Sequence, residues 1–252
     1  MSALVWALLL LAGVVASAEA LGSPAIIEQF PSLVQVEFSD SRSWLQQCAG
    51  IIITNAHVLS AATCFYGVYY DPIHRRVRVG SSYRGVDGQL LGVKDVKHHD
   101  DFGTLGLDAD IALVSLDSYI VLGANAQQAP ILGQGIELPV GLVLQHAGWG
   151  TTAEGGLVSS DSLYSVDLNV HDNENCLVKY IGQQQVTENM VCVGLSYTRG
   201  RDLDTADIGA GLFYTNTLIG LFSFGQENAD DEYPAVATAV SSYTSWIIDN
   251  AV

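Results

Sequence analysis

Short stretches in which apolar and polar residues alternate run along most of the chain. Residues 33–38 (LVQVEF), 77–79 (VRV) and 218–224 (LIGLFSF) are examples, and turn residues such as 80–82 (GSS) and 86–88 (VDG) separate them. Alternation with a period of two between turn signals is typical of β-strands. The pattern therefore predicts an all-β sandwich or barrel with many antiparallel strands.

Two segments have the pattern of a helix instead. Residues 172–175 (DNEN) can cap a short helix that continues to Tyr180, and residues 240–247 repeat large side chains at i, i+3, i+6 and i+7. No tandem repeat or low-complexity linker is visible. The stretch 123–128 (GANAQQ) is either a strap that crosses between two halves of the fold or a surface loop, and its composition fits both.

The start of the chain is an apolar run from Leu4 to Val15 that ends in small residues at 16–20. This pattern predicts a secretory signal peptide at residues 1–20, although basic residues are absent from its first part. The alternative is a transmembrane anchor, but the run is shorter than the roughly 20 residues that a bilayer needs. No later stretch of the sequence is long and apolar enough to span. We therefore predict a secreted, extracellular protein that has no membrane segment.

The composition is acidic, with 27 Asp and Glu against 10 Lys and Arg and a formal net charge of −17. Phosphate backbones need clustered Lys and Arg, so a nucleic-acid partner is not expected. The acidity favours solubility and cationic partners. The run 98–101 (HHDD) resembles a metal site in composition, but no third ligand follows at a supporting spacing. We predict an exposed loop there, with no metal and no cofactor.

Four cysteines in a secreted chain predict two disulfides, for which three connectivities are possible. A structural zinc site is the alternative. It has little support, because Cys48, Cys64, Cys176 and Cys192 contain no Cys-x-x-Cys pair.

Several short motifs follow one another along the chain. They are 31–36 (PSLVQV), 48–50 (CAG), 59–64 (LSAATC), 108–113 (DADIAL), 147–150 (AGWG), 202–211 (DLDTADIGAG), 223–225 (SFG) and 234–238 (PAVAT). In order and spacing they resemble the chymotrypsin- and trypsin-like serine proteases, and insect trypsins in particular.

The resemblance implies one domain at residues 21–252, an all-β fold of two packed six-stranded antiparallel Greek-key barrels with a C-terminal helix. The N-terminal barrel would cover about 25–122, the C-terminal barrel about 130–238 and the helix about 240–250. It also selects one disulfide connectivity, Cys48 with Cys64 and Cys176 with Cys192.

The same resemblance places Thr63, Asp110 and Ile208 at the three positions of a catalytic triad. In that mechanism a serine hydroxyl attacks, a histidine takes its proton and a buried aspartate orients the histidine. Ile208 has no lone pair to offer, and a threonine hydroxyl does not accept a proton near neutral pH. His57, six residues before Thr63, is predicted to be a structural polar residue. From these substitutions we predict that the chain is not an enzyme.

Three further positions are assigned by the resemblance. Asp202 is similar to the aspartate at the base of a trypsin-type pocket, but Ala235 replaces a pocket glycine and the neighbouring disulfide is absent, so we predict a vestigial, partly filled pocket. Ala206 replaces the glycine whose amide helps form the oxyanion hole. Asp207 matches the aspartate that pairs with a new N-terminal amine in activated relatives. Because no basic cleavage site precedes residues 19–22, Asp207 must find another partner or remain solvated.

These observations predict a secreted, catalytically inactive protease homolog that acts by binding. Its partner would be a protease, a protease inhibitor or another secreted protein. The alternatives are residual serine-type endopeptidase or hydrolase activity, and a structural secretory protein with no specific partner. The sequence makes no prediction of oligomeric state.

Overall fold

The computed structural model describes residues 22–40, 42–68, 70–150, 160–194, 205–225 and 233–251. The predicted signal peptide and Asp202 lie outside these ranges. Within the ranges, no helix has the length and apolar character needed to cross a bilayer. The strands are β1 (Ser23–Pro24), β2 (Leu33–Ser39), β3 (Trp44–Ile52), β4 (His57–Ser60), β5 (Arg75–Val79), β6 (Gln89–His98), β7 (Ala112–Leu116), β8 (Val143–Gly148), β9 (Tyr164–Val170), β10 (Met190–Gly194), β11 (Gly211–Tyr214), β12 (Thr217–Phe224) and β13 (Ala235–Ala239).

The N-terminal half is a closed antiparallel barrel in the order β2-β3-β4-β7-β6-β5. Alternation along β2 directs Val34 and Val36 into the core of this barrel, where they join Val58 and Val77. Leu33, one residue earlier, belongs to a different core that contains residues of both halves. The period-two pattern of β2 therefore serves two cores, one inside the barrel and one between the barrels.

The C-terminal half is a second closed barrel in the order β8-β9-β10-β13-β12-β11. β1 pairs with the start of β9, ahead of the residues of β9 that pair with β10. Leu168, Val191, Leu212 and Phe222 fill its interior. The predicted fold of two six-stranded antiparallel barrels is confirmed.

Two α-helices complete the described part, α1 (Asn173–Tyr180) and α2 (Val240–Asn250). The side chain of Asp172 accepts the N–H of Asn175, which is the N-cap that the sequence predicts for α1. Tyr243 and Ile247 of α2 pack into the core between the barrels. The C-terminal helix is thus part of the contact that fixes one barrel against the other.

The stretch after the first barrel crosses to the second. Ala129 donates its N–H to the carbonyl of Ile52 in the first barrel, and the carbonyl of Pro130 accepts the N–H of Leu218 in the second. Residues 123–128 themselves form a mostly exposed turn, in which Gly123 and Ala126 pair with each other and Gln127 donates its N–H to the carbonyl of Pro31. The stretch 123–128 is therefore a surface loop, and the crossing begins just after it.

Both disulfides have the pairing that the resemblance implies. Cys48 bonds Cys64 and joins β3 to the 3-10 turn Ala62–Phe65. Cys176 bonds Cys192 and joins α1 to β10. All four sulfurs are used in this way, so the zinc alternative is excluded.

Candidate active site between the barrels

Asp110 lies at the centre of the site and is completely buried. Thr63, in the 3-10 turn after β4, donates its backbone N–H to one carboxylate oxygen at 2.8 Å and its hydroxyl to the other at 3.2 Å. Ser223 of β12 donates its hydroxyl to this second oxygen at 2.5 Å. One donor residue therefore comes from each barrel, and the carboxylate of Asp110 forms hydrogen bonds with both barrels.

The electrostatics of Asp110 are a balance of opposing effects. Burial raises the pKa of the carboxyl above its ordinary value, because the charged form loses its hydration, and the hydrogen bonds from Ser223 and Thr63 counteract this. Thr238 of β13 also donates its hydroxyl to the backbone carbonyl of Asp110 at 3.0 Å. The sequence did not identify Ser223 or Thr238 as partners of Asp110. Ser223 stands in a recognised motif, but it is 113 residues from the carboxylate it contacts.

Ile208 follows the 3-10 turn Thr205–Asp207 and lies at the junction of the barrels. Its backbone carbonyl accepts the N–H of Ala49 at 2.8 Å, and its half-buried side chain packs against the cores of both barrels. The next residue, Gly209, has a φ of +83°, and a Cβ there would stand 2.4 Å from the carbonyl oxygen of Ala49. Only glycine fits this turn, which presents residue 208 at the surface of the cleft.

A cavity of about 250 Å³ lies in front of these residues. Its lining comprises Phe38, Gln47, the Cys48–Cys64 disulfide, Thr63 and Ile208. The structure thus brings together Thr63, Ile208 and, behind Thr63, Asp110. The isoleucine side chain contains only carbon and hydrogen, and the Thr63 hydroxyl is directed at Asp110. The lining is therefore mostly apolar and suits an apolar side chain.

Asp207 has found partners within the protein. It is 4% exposed, one carboxylate oxygen accepts the N–H of Gly150 at 3.0 Å, and the same oxygen lies 3.9 Å from Nε2 of His146. Burial lowers the pKa of His146, and the nearby carboxylate opposes that shift. A Cβ on Gly148 would stand 1.9 Å from the Asp207 carboxylate, so position 148 has to be glycine.

Ala206 is buried, and its carbonyl accepts a hydrogen bond from Nε2 of Gln46 at 2.6 Å. The residues with positive φ among the described non-glycine positions are Asp87, Ala109 and Thr215. Ala206 therefore occupies its 3-10 turn without the backbone strain that an alanine would meet in the left-handed region. The sequence offered no sign that Gln46, 160 residues away, anchors this turn.

The described hydrogen bonds to the Asp110 side chain include none from the histidines that the sequence singled out. His57, the first residue of β4, faces Ser115 across the ladder and has its Nδ1 2.9 Å from the hydroxyl of Thr54. Burial lowers the pKa of His57.

The prediction of an exposed loop at residues 98–101 is wrong for its two histidines. Nε2 of His98 lies 3.1 Å from the carbonyl oxygen of Phe65, and the ring of His99 packs against Tyr243 and Trp246. Both rings are half-buried, His98 beside the rings of Tyr66 and Phe102 and His99 against α2. Among the described ranges, no group of three or more His, Cys, Asp or Glu side chains could hold a metal ion.

Comparison with known proteins places this geometry in a family. The family model described as Trypsin matches residues 21–247. The chain belongs to the trypsin family. It is 36% identical over 234 residues to "Trypsin, alkaline A" of Manduca sexta, covering 91% of this chain and 90% of the relative. It is 33% identical over 233 residues to "Trypsin CFT-1" of Choristoneura fumiferana, covering 91% and 90%, and 31% identical over 229 residues to "Vitellin-degrading protease" of Bombyx mori, covering 91% and 84%.

These comparisons contradict one prediction made from the sequence. Thr63 and Ile208 led us to predict that the chain is not an enzyme, whereas relatives that are 33–36% identical over about nine-tenths of its length are named trypsins. Their names point to a protease. The prediction was wrong because it weighed two side chains and set aside what the remainder of the chain shares with its relatives.

Proposed function

We propose that this protein is a secreted member of the trypsin family that binds an extended polypeptide segment in the cleft between its barrels. Its partner is another secreted protein, such as a protease or a protease inhibitor. The observation that supports the proposal is the mostly apolar cavity bordered by Ile208, Phe38 and the Cys48–Cys64 disulfide, beside the buried group of Asp110, Thr63 and Ser223.

The end of β12 supports binding of an extended segment. β12 is paired with β11 up to Leu221 and with β13 up to Phe224. Phe222 also forms backbone hydrogen bonds with Gly209 and Ala210, so among the described residues of β12 only Ser223 and Phe224 have a backbone neighbour on one side alone. An extended peptide can add to such an edge through backbone hydrogen bonds, while neighbouring cavities select its side chains.

Secretion rests on the leader-like start of the sequence and on the two disulfides, which persist in oxidising compartments. The net charge of −17 adds a long-range attraction for a positively charged partner.

Peptide-bond hydrolysis is the second candidate function, and the names of the relatives favour it. Ile208 provides no nucleophilic atom, so hydrolysis by this chain needs an attacking group other than the side chain at position 208. Turnover of fluorogenic peptides that contain arginine or lysine measures this candidate directly.

Binding is tested with pancreatic trypsin inhibitor, a protein that binds trypsin very tightly, immobilised on a biosensor. We expect Ile208→Glu to weaken binding at least tenfold, because it places a charge in the mostly apolar cavity. The matched control is Ile248→Glu, since Ile248 is 60% exposed on α2. Failure of the wild type to bind, or equal loss in both variants, would contradict the binding proposal. Peptide turnover that Ile208→Glu leaves unchanged would support hydrolysis instead.

A further inference from the structure

A second groove lies on the C-terminal barrel and shares no residue with the cleft described above. It has a volume of about 490 Å³ and runs between the irregular segment 135–140, the start of α1 and the start of α2. Its lining comes from four separate parts of the chain, within 135–140, 170–173, 188–191 and 239–242, so it is a feature of the folded barrel and not of one loop.

The floor and one wall of the groove are apolar. Met190 and Val191 of β10 form buried parts of the floor, and Leu138 is half-buried beside them. Ile136 and Val140 remain 50% and 65% exposed on the wall. Two large aliphatic side chains that border one depression expose apolar surface to water, and a bound partner that covers this surface gains free energy.

The other lining groups give the groove a negative charge. Glu137, Asp172 and Glu188 line it, and its lining contains no lysine or arginine. Asp172 already caps α1, whereas Glu137 and Glu188 are exposed and form no ion pair with another described residue.

Nearby groups do not reverse this charge. His171 also lines the groove, and burial together with the positive charge of Lys179 lowers its pKa, which favours the neutral form of its ring. The N-termini of α1 and α2 each contribute about half a positive charge, and the two together are smaller than the charge of three carboxylates.

We infer that this groove binds a peptide segment of another protein in which lysine or arginine side chains stand next to aliphatic ones. The aliphatic side chains would cover Ile136 and Val140, and the basic side chains would meet Glu137 and Glu188. A second copy of this chain is a poor occupant, because each copy carries a net charge of −17 and like charges repel. The inference does not depend on what occupies the cleft between the barrels.

The test uses a fluorescent heptapeptide with capped ends and alternating lysine and leucine, followed by fluorescence anisotropy. We expect the double variant Glu137→Gln/Glu188→Gln to bind it about tenfold more weakly, as expected for the loss of two exposed charge pairs. The charge-matched control is Asp161→Asn/Asp167→Asn, which removes two exposed carboxylates from the same barrel outside the groove. The control should bind within about twofold of the wild type.

The apolar wall is tested by Ile136→Ser/Val140→Ser. The control is Val178→Ser/Ile181→Ser, which changes an exposed residue of α1 and the exposed residue that directly follows this helix. Only the first pair should weaken binding.

A peptide with glutamate in place of lysine should bind at least tenfold more weakly than the lysine peptide. Equal weakening by both carboxylate pairs would show attraction to the overall acidic surface and overturn the inference. The inference would also be overturned if the groove variants bound the lysine peptide as tightly as the wild type does, or if the glutamate peptide bound tightly. Circular dichroism checks that each variant is folded.

Discussion

Replacing Ser223 with alanine removes one of the hydroxyl groups that hold the buried carboxylate of Asp110. Ser223 is 3% exposed and its hydroxyl lies 2.5 Å from the carboxylate oxygen, so water cannot easily take its place. Thr63 continues to donate its backbone N–H and its hydroxyl. The variant therefore loses one of the donors to this carboxylate and retains the others.

The expected loss follows from the kind of bond. A hydrogen bond to a charged acceptor contributes about 1.5–3 kcal/mol to stability. In the variant, water does not replace the missing donor, because the site is buried. We expect the free energy of unfolding to fall by about 2 kcal/mol, which for a chain of this size lowers Tm by about 4–8 °C.

The effect should depend on pH with a defined sign. Burial raises the pKa of Asp110, so the folded state holds this proton more tightly than the unfolded chain does. The contribution of this group to stability therefore increases as the pH falls through its folded pKa. Because the Ser223 hydroxyl stabilises the ionised form, the difference between wild type and Ser223→Ala should shrink from about pH 7 toward about pH 4.

Urea unfolding followed by tryptophan fluorescence, at several pH values and with disulfides intact, measures this difference. The matched control is Ser43→Ala, because the Ser43 hydroxyl also donates to an aspartate, Asp40, at an exposed position. The control should leave the midpoint unchanged. The reasoning is refuted if Ser223→Ala is no less stable than the control, or if its deficit is the same at all pH values.

Three other predictions follow from the site and its supports. Gly148→Ala should lower stability by about 1–3 kcal/mol, because its Cβ would meet the carboxylate of Asp207, whereas Gly123→Ala has open space and should be nearly neutral in thermal unfolding. The contribution of His146 to stability should fall as the pH drops below 6.5, the ordinary pKa of histidine, because burial lowers the pKa of His146 in the folded state, and His146→Gln should lack this loss in urea titrations. Replacing both cysteines of the N-terminal disulfide with alanine should remove about 3 kcal/mol, measured by calorimetry, because the bond closes a loop of 16 residues.

Local patterns in the sequence were sufficient for much of the fold. Alternation predicted strands such as β2 because neighbouring side chains on a strand point to opposite faces. Asp172 predicted the start of α1 because an N-cap depends only on residues three positions apart. Family motifs supplied what alternation could not, namely the closure of the strands into two barrels.

These local patterns did not predict contacts between residues that are far apart in the sequence. Glu37 occupies a polar position in the alternation of β2, yet it is completely buried and paired with Arg76 and Arg78 of β5. Nothing within a few residues of Glu37 indicates that pairing, since it depends on the register between two strands about 40 residues apart. The same holds for Gln46, which anchors the turn at Ala206.

The sequence by itself determined which side chains stand at the positions of the site: Thr63, Asp110 and Ile208 are read directly from it. Only the tertiary structure decided what surrounds them, including the Ser223 hydroxyl on Asp110 and the mostly apolar cavity in front of Ile208. The physical reason is that the polarity of a buried site depends on which distant groups exclude water from it and donate to it. Those groups come together only when both barrels have closed and packed against each other.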